Sequence, residues 1–417
     1  MWPSGRRAER LRAARPLTAL VGSTGSLLDT LECRACCAAV DPATPVGPCP
    51  TCGHTLFASY RLDRLNVGEW RHSLADRDRS LWRYRELLPV RSTESVVTLG
   101  EGYSPILSLG PVPEAPDVTV SVKDDGGLPT GSFKSRGMAV AVSRAKELGL
   151  RDLFVPSAGN AAVALSAYAA RAGLSARVYL PEKTPAGMRD GCAQYGAQVI
   201  QVPGTIREAG EAARKAEKGR GSFDMSTLRE PYRVEGKKTM GLEIFEQTYP
   251  ERFPDAILYP TGGGTGLVGM AKAFAELRSL GLIDRTPRLI AVQPEGCAPV
   301  VRALVDGEAR VTPWPDPHTI APGLLVPAPF ASERVLEAVR TTRGTGVRVP
   351  DAEIVTAMRH LARRHGISAS PEGAAPYAAL GPLVRSGEIR SGESVMLYNT
   401  GTGLGFSAEA LGRAMAD

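Results

Sequence analysis

From residue 117 onward, short β-branched runs alternate with longer amphipathic ones, and this alternation limits what the chain can fold into. Strands read over 118–122, 153–155, 176–180, 198–202, 256–259, 289–292 and 394–398. Between and after them, helical spacing reads over 133–148, 161–172, 207–218, 235–247, 267–280, 299–305, 333–339, 352–365 and 374–384. Strands separated by helices of this length build parallel sheets with both faces covered. The expected fold class is therefore α/β, with two doubly wound parallel-sheet domains. No repeat of fixed period interrupts the pattern.

The N-terminal part obeys other rules. Residues 1–30 carry Arg6, Arg7, Arg10, Arg12 and Arg15, and are expected to be a mobile basic tail. The apolar residues after them are broken by Gly22, Ser23, Thr24 and Gly25, unlike the core of a secretory signal. Residues 31–60 are loop-rich, and 61–417 form the expected catalytic body. A smaller α/β subdomain at about 135–240 is inserted in it. One helix is expected near 81–88, and the six prolines of 311–329 mark a loop. The net charge of +6 is a small excess over many charges of both signs. It demands neither nucleic acid nor membrane, and no run of about 18 apolar residues would span a bilayer.

Five of the seven cysteines fall between Cys33 and Cys52. Cys33-x2-Cys36-x12-Cys49-x2-Cys52 has the spacing of a four-cysteine structural zinc site, a zinc-ribbon-like knob in a reducing, cytoplasmic compartment. Cys37 confuses the pairing slightly, but Cys36 keeps the spacing. The segment lacks the clustered lysines and interleaved aromatics of a nucleic-acid-binding ribbon.

Four stretches carry chemistry, and three of them follow strands. Ligands of such sheets gather beyond the carboxyl ends of the strands, so these stretches can converge. Lys134 opens a helix after Gly127–Gly131. A helix lysine is ordinarily solvated; a buried one can stay partly neutral and form a Schiff base with an aldehyde. Gly262, Gly263, Gly264, Thr265 and Gly266 offer successive backbone N–H groups before a helix, a cradle for a small phosphate ester. They lack both the Lys-Ser/Thr ending of a nucleoside-triphosphate loop and the spacing of a dinucleotide loop. Asn160, in a Gly-Asn turn, could donate to a phenolate oxygen. Ser157 and Ala158 open a helix that would suit a carboxylate. Thr400 ends the last strand, where a hydroxyl facing a pyridine nitrogen leaves that nitrogen neutral, a setting for elimination and replacement chemistry. Together these supply what pyridoxal 5'-phosphate needs. Arg233, Lys237 and Lys238 open a further helix; the commoner reading is a charged helix start, the functional one a second anion site for a phosphorylated substrate.

In these residues the chain resembles the threonine synthase family of pyridoxal-phosphate enzymes, of fold type II, the tryptophan-synthase-β-like fold. The resemblance runs from about Cys33 to Gly405, through Thr98–Gly102, Pro129–Gly137, Pro156–Asn160, Ala167–Gly173, Pro231–Thr239, the triglycine loop and Asn399–Gly403. It implies that Lys134 carries the cofactor and shuttles protons, and that Asn160 binds the ring oxygen. It implies that Gly262–Gly266 hold the phosphate and that Thr400 faces the ring nitrogen. Arg233 would take the substrate's phosphate and Ser157 its carboxylate. A lyase acting on a small amino acid follows, with a homodimer expected. The family's reaction removes phosphate from Cγ of O-phosphohomoserine and adds water at Cβ to give threonine.

The chain departs from the family pattern at four places. Ser135 stands where aspartate is usual, triglycine replaces an asparagine turn, Ala161 replaces threonine or serine, and Gly403-Leu404-Gly405 lacks the usual lysine. These departures leave open a divergent member: a related lyase or a β/γ-replacement synthase acting on another hydroxy- or phospho-amino acid, including in specialised metabolism. A ribbon protein with an inactive body is the reading from another class, and retention of Lys134 argues against it. Glu372, in Ser370-Pro371-Glu372-Gly373, is a loop carboxylate without an assigned role.

Overall fold

A computed structural model describes residues 25–157, 159–408 and 411–412. Most of the expected basic tail, and Ala158, lie outside the described residues. Strand β1 (Leu28–Cys33) already begins within the segment assigned to the tail. It pairs antiparallel with β2 (Ala39–Val40) and β3 (Leu56–Tyr60) in the order β2-β1-β3. The ribbon is not a detached knob. Leu28, Leu31, Leu56 and Tyr60 share one core with Met138, Val142 and Leu153, while Phe57 packs into another with Val234 and Tyr259.

Helix α1 (Val67–Ser73) follows, started by the Asn66 side chain, which accepts from the Glu69 N–H. The helix expected near 81–88 is a 3₁₀ segment, Leu81–Leu87, with Tyr84 off the helical region at φ −100° and ψ 28°. The body then runs β4 (Ile106–Ser108), β5 (Thr119–Asp124), α2 (Lys134–Glu147), β6 (Asp152–Pro156), α3 (Asn160–Ala172), β7 (Ser175–Pro181), α4 (Ala186–Gln194), β8 (Gln198–Val202), α5 (Ile206–Glu217), β9 (Phe223–Asp224) and α6 (Arg233–Thr248). It continues with β10 (Ala256–Pro260), α7 (Thr265–Ser279), β11 (Arg288–Pro294), α8 (Pro299–Val305), α9 (Ser332–Thr341), β12 (Gly346–Val349), α10 (Asp351–His365), α11 (Pro371–Arg385) and β13 (Ser394–Asn399).

Two sheets result. The larger has the order β12-β11-β10-β13-β5-β4, parallel except for β4 on one edge. The smaller, β8-β7-β6-β9, is wholly parallel. Both are flanked by helices, and β10 is buried along its whole length. The expected α/β class with two parallel sheets is what the chain adopts. Within the body, the strands absent from the sequence reading are β4, β9 and β12, of three, two and four residues, too short for a period to show; β1, β2 and β3 of the ribbon are absent from it too, because that segment reads as tail and loop. Among the described residues, no helix is long and apolar enough to cross a membrane.

Strand order places the chemistry. β10, β13 and β5 are neighbours in the large sheet although far apart in sequence. The three loops leaving their carboxyl ends therefore begin side by side. They are the Gly262–Gly266 loop, the Thr400 loop and the loop leading to Lys134. α2 leaves the large sheet and feeds β6 of the small one, whose carboxyl end carries Ser157 and Asn160.

Candidate active site

The Lys134 loop is fastened to the Thr400 loop. The Phe133 N–H donates to the Thr400 carbonyl at 2.9 Å and the Thr402 N–H to the Gly131 carbonyl at 2.9 Å, around a bridge between Ser132 and Gly401. Ser132 does not cap α2; the helix starts from Phe133 without a side-chain cap, and Ser132 Oγ has no partner. Ser135, the first departure from the family pattern, lies in the first turn of α2 next to Lys134. It is fully buried and donates to the Ser132 carbonyl at 2.9 Å.

Lys134 is partly exposed, with Nζ 4.1 Å from the centroid of the Phe133 ring. Burial and then the Arg233 charge lower its pKa to about 7, while Glu372 opposes them. About half of the amine is thus neutral near neutral pH, which Schiff-base chemistry requires. Glu372, unassigned from sequence, sits in the first turn of α11 and accepts from the Gly323 N–H at 2.7 Å.

Two glycines bring α6 against α2. A Cβ on Gly236 would lie 2.1 Å from the Arg136 carbonyl oxygen, and one on Gly137 3.2 Å from Lys237 Cε. This contact sets the first turns of α6 beside Lys134. Arg233, 2 % exposed, donates from Nη1 to the Met225 carbonyl at 2.6 Å, and its Nε has no partner. Among the described residues no carboxylate pairs with its guanidinium; Glu230 instead accepts from the Arg233 backbone N–H. Of the three cations read from sequence, Lys238 faces the other way, bonded to Glu235 at 2.8 Å and Glu276 at 2.9 Å.

Behind Lys134 lies a buried, charge-balanced cluster. Arg136 grips Asp125 with Nε at 2.7 Å and Nη2 at 2.8 Å, and reaches Glu243, which also pairs with Lys123 at 2.8 Å. Burial alone would raise the Glu243 pKa, but Arg136 and Lys123 bring it down to about 2. Two cations and two carboxylates thus tie β5, α2 and α6 together directly beneath the lysine.

The glycine loop is shaped for close approach. A Cβ on Gly262 would lie 2.3 Å from the Gly323 carbonyl oxygen and one on Gly266 2.1 Å from the Tyr259 hydroxyl. Gly264, at φ +71°, is the N-cap of α7. Among the described residues, no protein acceptor takes the N–H groups of Gly262 through Leu267. They are free to cradle an anion at a helix start. Thr227, which no motif pointed to, brings Cγ2 to 3.4 Å from where a Gly263 Cβ would stand. Thr400 is 5 % exposed and continues β13. Asn160 begins α3, which packs on the Pro129–Gly131 turn beside the Lys134 loop. Ser157 Oγ accepts from the Gly159 N–H at 3.2 Å. These residues fit a pyridoxal phosphate: an amine of lowered basicity, free amides for a phosphate, and a strand-end hydroxyl. Lys134, the glycine loop and Thr400 follow three neighbouring strands, and Arg233 is near enough to Lys134 to lower its basicity.

The four cysteines meet as well. The Sγ atoms of Cys33, Cys36, Cys49 and Cys52 all lie within 4.8 Å of one another, with Cys33–Cys52 at 3.4 Å and Cys36–Cys49 at 3.7 Å. A zinc ion with Zn–S bonds of about 2.3 Å holds tetrahedral sulfurs about 3.8 Å apart, so the set fits zinc and is far from disulfide geometry.

A partly neutral lysine two strands away from a loop of free backbone amides suits an enzyme that works through an amine-bound aldehyde cofactor. The sequence profile described as pyridoxal-phosphate dependent enzyme matches residues 97–401. Threonine synthase of Methanocaldococcus jannaschii is 34% identical over 355 residues, covering 85% of this chain and 87% of that one. Threonine synthase of Methanosarcina acetivorans is 33% identical over 373 residues, covering 89% and 91%. The chain belongs to the threonine synthase family of pyridoxal-phosphate-dependent enzymes, and is a lyase acting on a small amino acid. Among solved structures, the processed form of threonine deaminase isoform 2 from Solanum lycopersicum aligns with a TM-score of 0.64 at 21% identity, covering 90% of this chain and 98% of that one. Maize serine racemase aligns with the same TM-score at 21% identity, over 82% and 98%. At these identities the likeness speaks for the fold alone.

Proposed function

We propose that the chain eliminates phosphate from Cγ of O-phosphohomoserine and adds water across Cβ and Cγ, giving threonine and inorganic phosphate. The observation that carries this reading is Arg233. A guanidinium buried beside the nucleophile, without a carboxylate partner and with a free Nε, is costly unless an anion joins it. A phosphorylated substrate supplies that anion.

Lys134 would hold pyridoxal phosphate, whose conjugated ring accepts the electron pair left at Cα when a proton is removed. Asn160 would donate to the ring oxygen, Thr400 would face the ring nitrogen, and the amides of Gly262 through Gly266 would bind the phosphate. Ser157, with the Ala158 backbone, would receive the substrate carboxylate. The Lys134 amine would take the Cα proton and then one from Cβ. The Cγ–O bond breaks with its electron pair on the departing phosphate, which Arg233 would hold. The two protons taken by Lys134 would return, one to Cγ and one to Cα, while water gives hydroxide to Cβ and its remaining proton to the departing phosphate. A homodimer is part of the same proposal.

The test is an assay of both products from O-phosphohomoserine. Threonine and phosphate in equal amounts support the reading. Phosphate without threonine makes the chain an eliminating lyase, and neither product assigns it another substrate. In Arg233→Gln, KM should rise about tenfold or more, the worth of one charge-assisted contact. An unchanged KM removes Arg233 from the phosphate site.

A further inference from the structure

Lys237 lies one helical turn beyond Arg233 on the same face of α6, as i,i+4 spacing requires. It is 1 % exposed. Its Nζ sits 4.1 Å from the centroid of the Phe133 ring, the same ring that Lys134 approaches at 4.1 Å. Among the described residues its one hydrogen-bond partner is the Phe133 carbonyl oxygen at the start of α2, where the helix dipole disfavours a cation. Among the described residues no carboxylate pairs with it. Room for its stem is made by Gly137 on one side and by Gly269, where a Cβ would meet Lys237 Cβ at 2.7 Å, on the other.

Lys134, Arg233 and Lys237 therefore crowd one corner, and among the described residues no carboxylate forms an ion pair with any of them, although Glu230 and Asp224 act on Arg233 from farther off. The groups acting on Lys237 are Lys134 and Arg136 from α2, Arg233 from its own helix, and Asp125 from the loop after β5. Asp125 is already gripped by Arg136. On α7, Lys272 and Glu276 are engaged with Glu235 and Lys238. Glu372 of α11 acts on Lys134. Burial, then Lys134 and Arg233, push the Lys237 pKa well below the ordinary lysine range, so its charged form is disfavoured there.

We propose that Lys237 is a proton-coupled ligand for the substrate's anionic group, forming with Arg233 a two-cation clamp that completes itself only when the anion enters. The neutral amine takes a proton from solvent as the dianion arrives. The new ammonium then has the two negative charges of the anion to offset the repulsion from Arg233. A neutral resting state spares the corner the repulsion of a third cation. The proposal rests on the anion role given to Arg233 above, not on the identity of the substrate.

The probe is inorganic sulfate, which keeps its two charges across neutral pH, titrated into the cofactor-loaded enzyme, where the Lys134 amine and the glycine cradle are both engaged. Sulfate affinity in the wild type should fall as pH rises from 6 to 9, because protonating Lys237 grows harder. Lys237→Met should bind sulfate about tenfold or more weakly at the acid end, and its pH slope should flatten. Lys237→Arg, permanently charged, should keep sulfate affinity but lose the pH slope, and it serves if the methionine variant does not fold. Wild-type sulfate binding without a pH slope, or an unchanged slope in either variant, overturns the proposal. So does the absence of sulfate binding. If instead the slope is present and O-phosphohomoserine is not turned over, the clamp stands and the substrate assignment falls.

Discussion

At the scale of single residues, the chemistry of this site is set by charges that lack partners. Lys134 is the clearest case, since burial and Arg233 lower its basicity while Glu372 alone works against them. A lysine pKa brought down to about 7 means that the reactive neutral form dominates above neutral pH and is lost below it. In cofactor-free protein, labelling of Lys134 by an amine reagent should therefore rise with pH around a midpoint near 7. Glu372→Gln keeps an oxygen to accept the Gly323 N–H but removes the opposing charge. The midpoint should then move to lower pH, read by peptide mapping of the labelled lysine. A midpoint that moves upward or stays put would mean that Glu372 does not face the amine. Sequence revealed Lys134 because its neighbours form a motif. It could not assign Glu372, whose effect arises through space from α11.

At the scale of elements, the site depends on how closely α2 and α6 approach. Gly236 touches the Arg136 carbonyl and Gly137 sits against Arg233 and Lys237, so backbone meets backbone where side chains would hold the helices apart. Gly236→Ala forces a Cβ into a backbone oxygen 2.1 Å away. The expected cost is about 1–3 kcal/mol of stability, read by denaturant unfolding. KM for O-phosphohomoserine, the substrate proposed above, should rise while the cofactor's visible absorbance is retained, because Arg233 moves and Lys134 does not. Loss of the absorbance with KM unchanged would reverse that assignment. The same contact explains what could be read in advance. The long helices and central strands of the body announce themselves by period, and their observed ends fall within a few residues of the expected ones. Lys238 could not be sorted from its neighbours, because one position along a helix separates a side chain facing the site from one facing away. Thr227 lies in an irregular loop after the two-residue β9, where no pattern exists to be read.

At the scale of the whole molecule, the cysteine ribbon joins the two sheets. Its Leu31 and Leu56 share a core with α2 and the small sheet, and its Phe57 shares one with α6 and the large sheet. It also reaches the site. Thr55 Oγ1 donates to the Leu228 carbonyl at 2.7 Å, and the Pro42 carbonyl accepts from Arg144 Nη2 at 2.6 Å. Leu228, held at φ +59°, belongs to the loop whose Met225 carbonyl positions Arg233. A side chain in the left-handed region persists only where its surroundings enforce it, and here the ribbon supplies part of that enforcement. Zinc, by fixing four sulfurs, would hold the ribbon and hence the loop that positions Arg233. Cys36 is exposed, so Cys36→Ser opens no cavity and its effect reports the metal alone. The variant should lose zinc by metal analysis and melt about 5 °C or more below the wild type. Its KM should rise by a larger factor than its kcat falls, because Lys134 and the glycine cradle belong to the large sheet and Arg233 leans on the loop. A wild type without zinc, or a variant that keeps both Tm and KM, would make the ribbon an independent module.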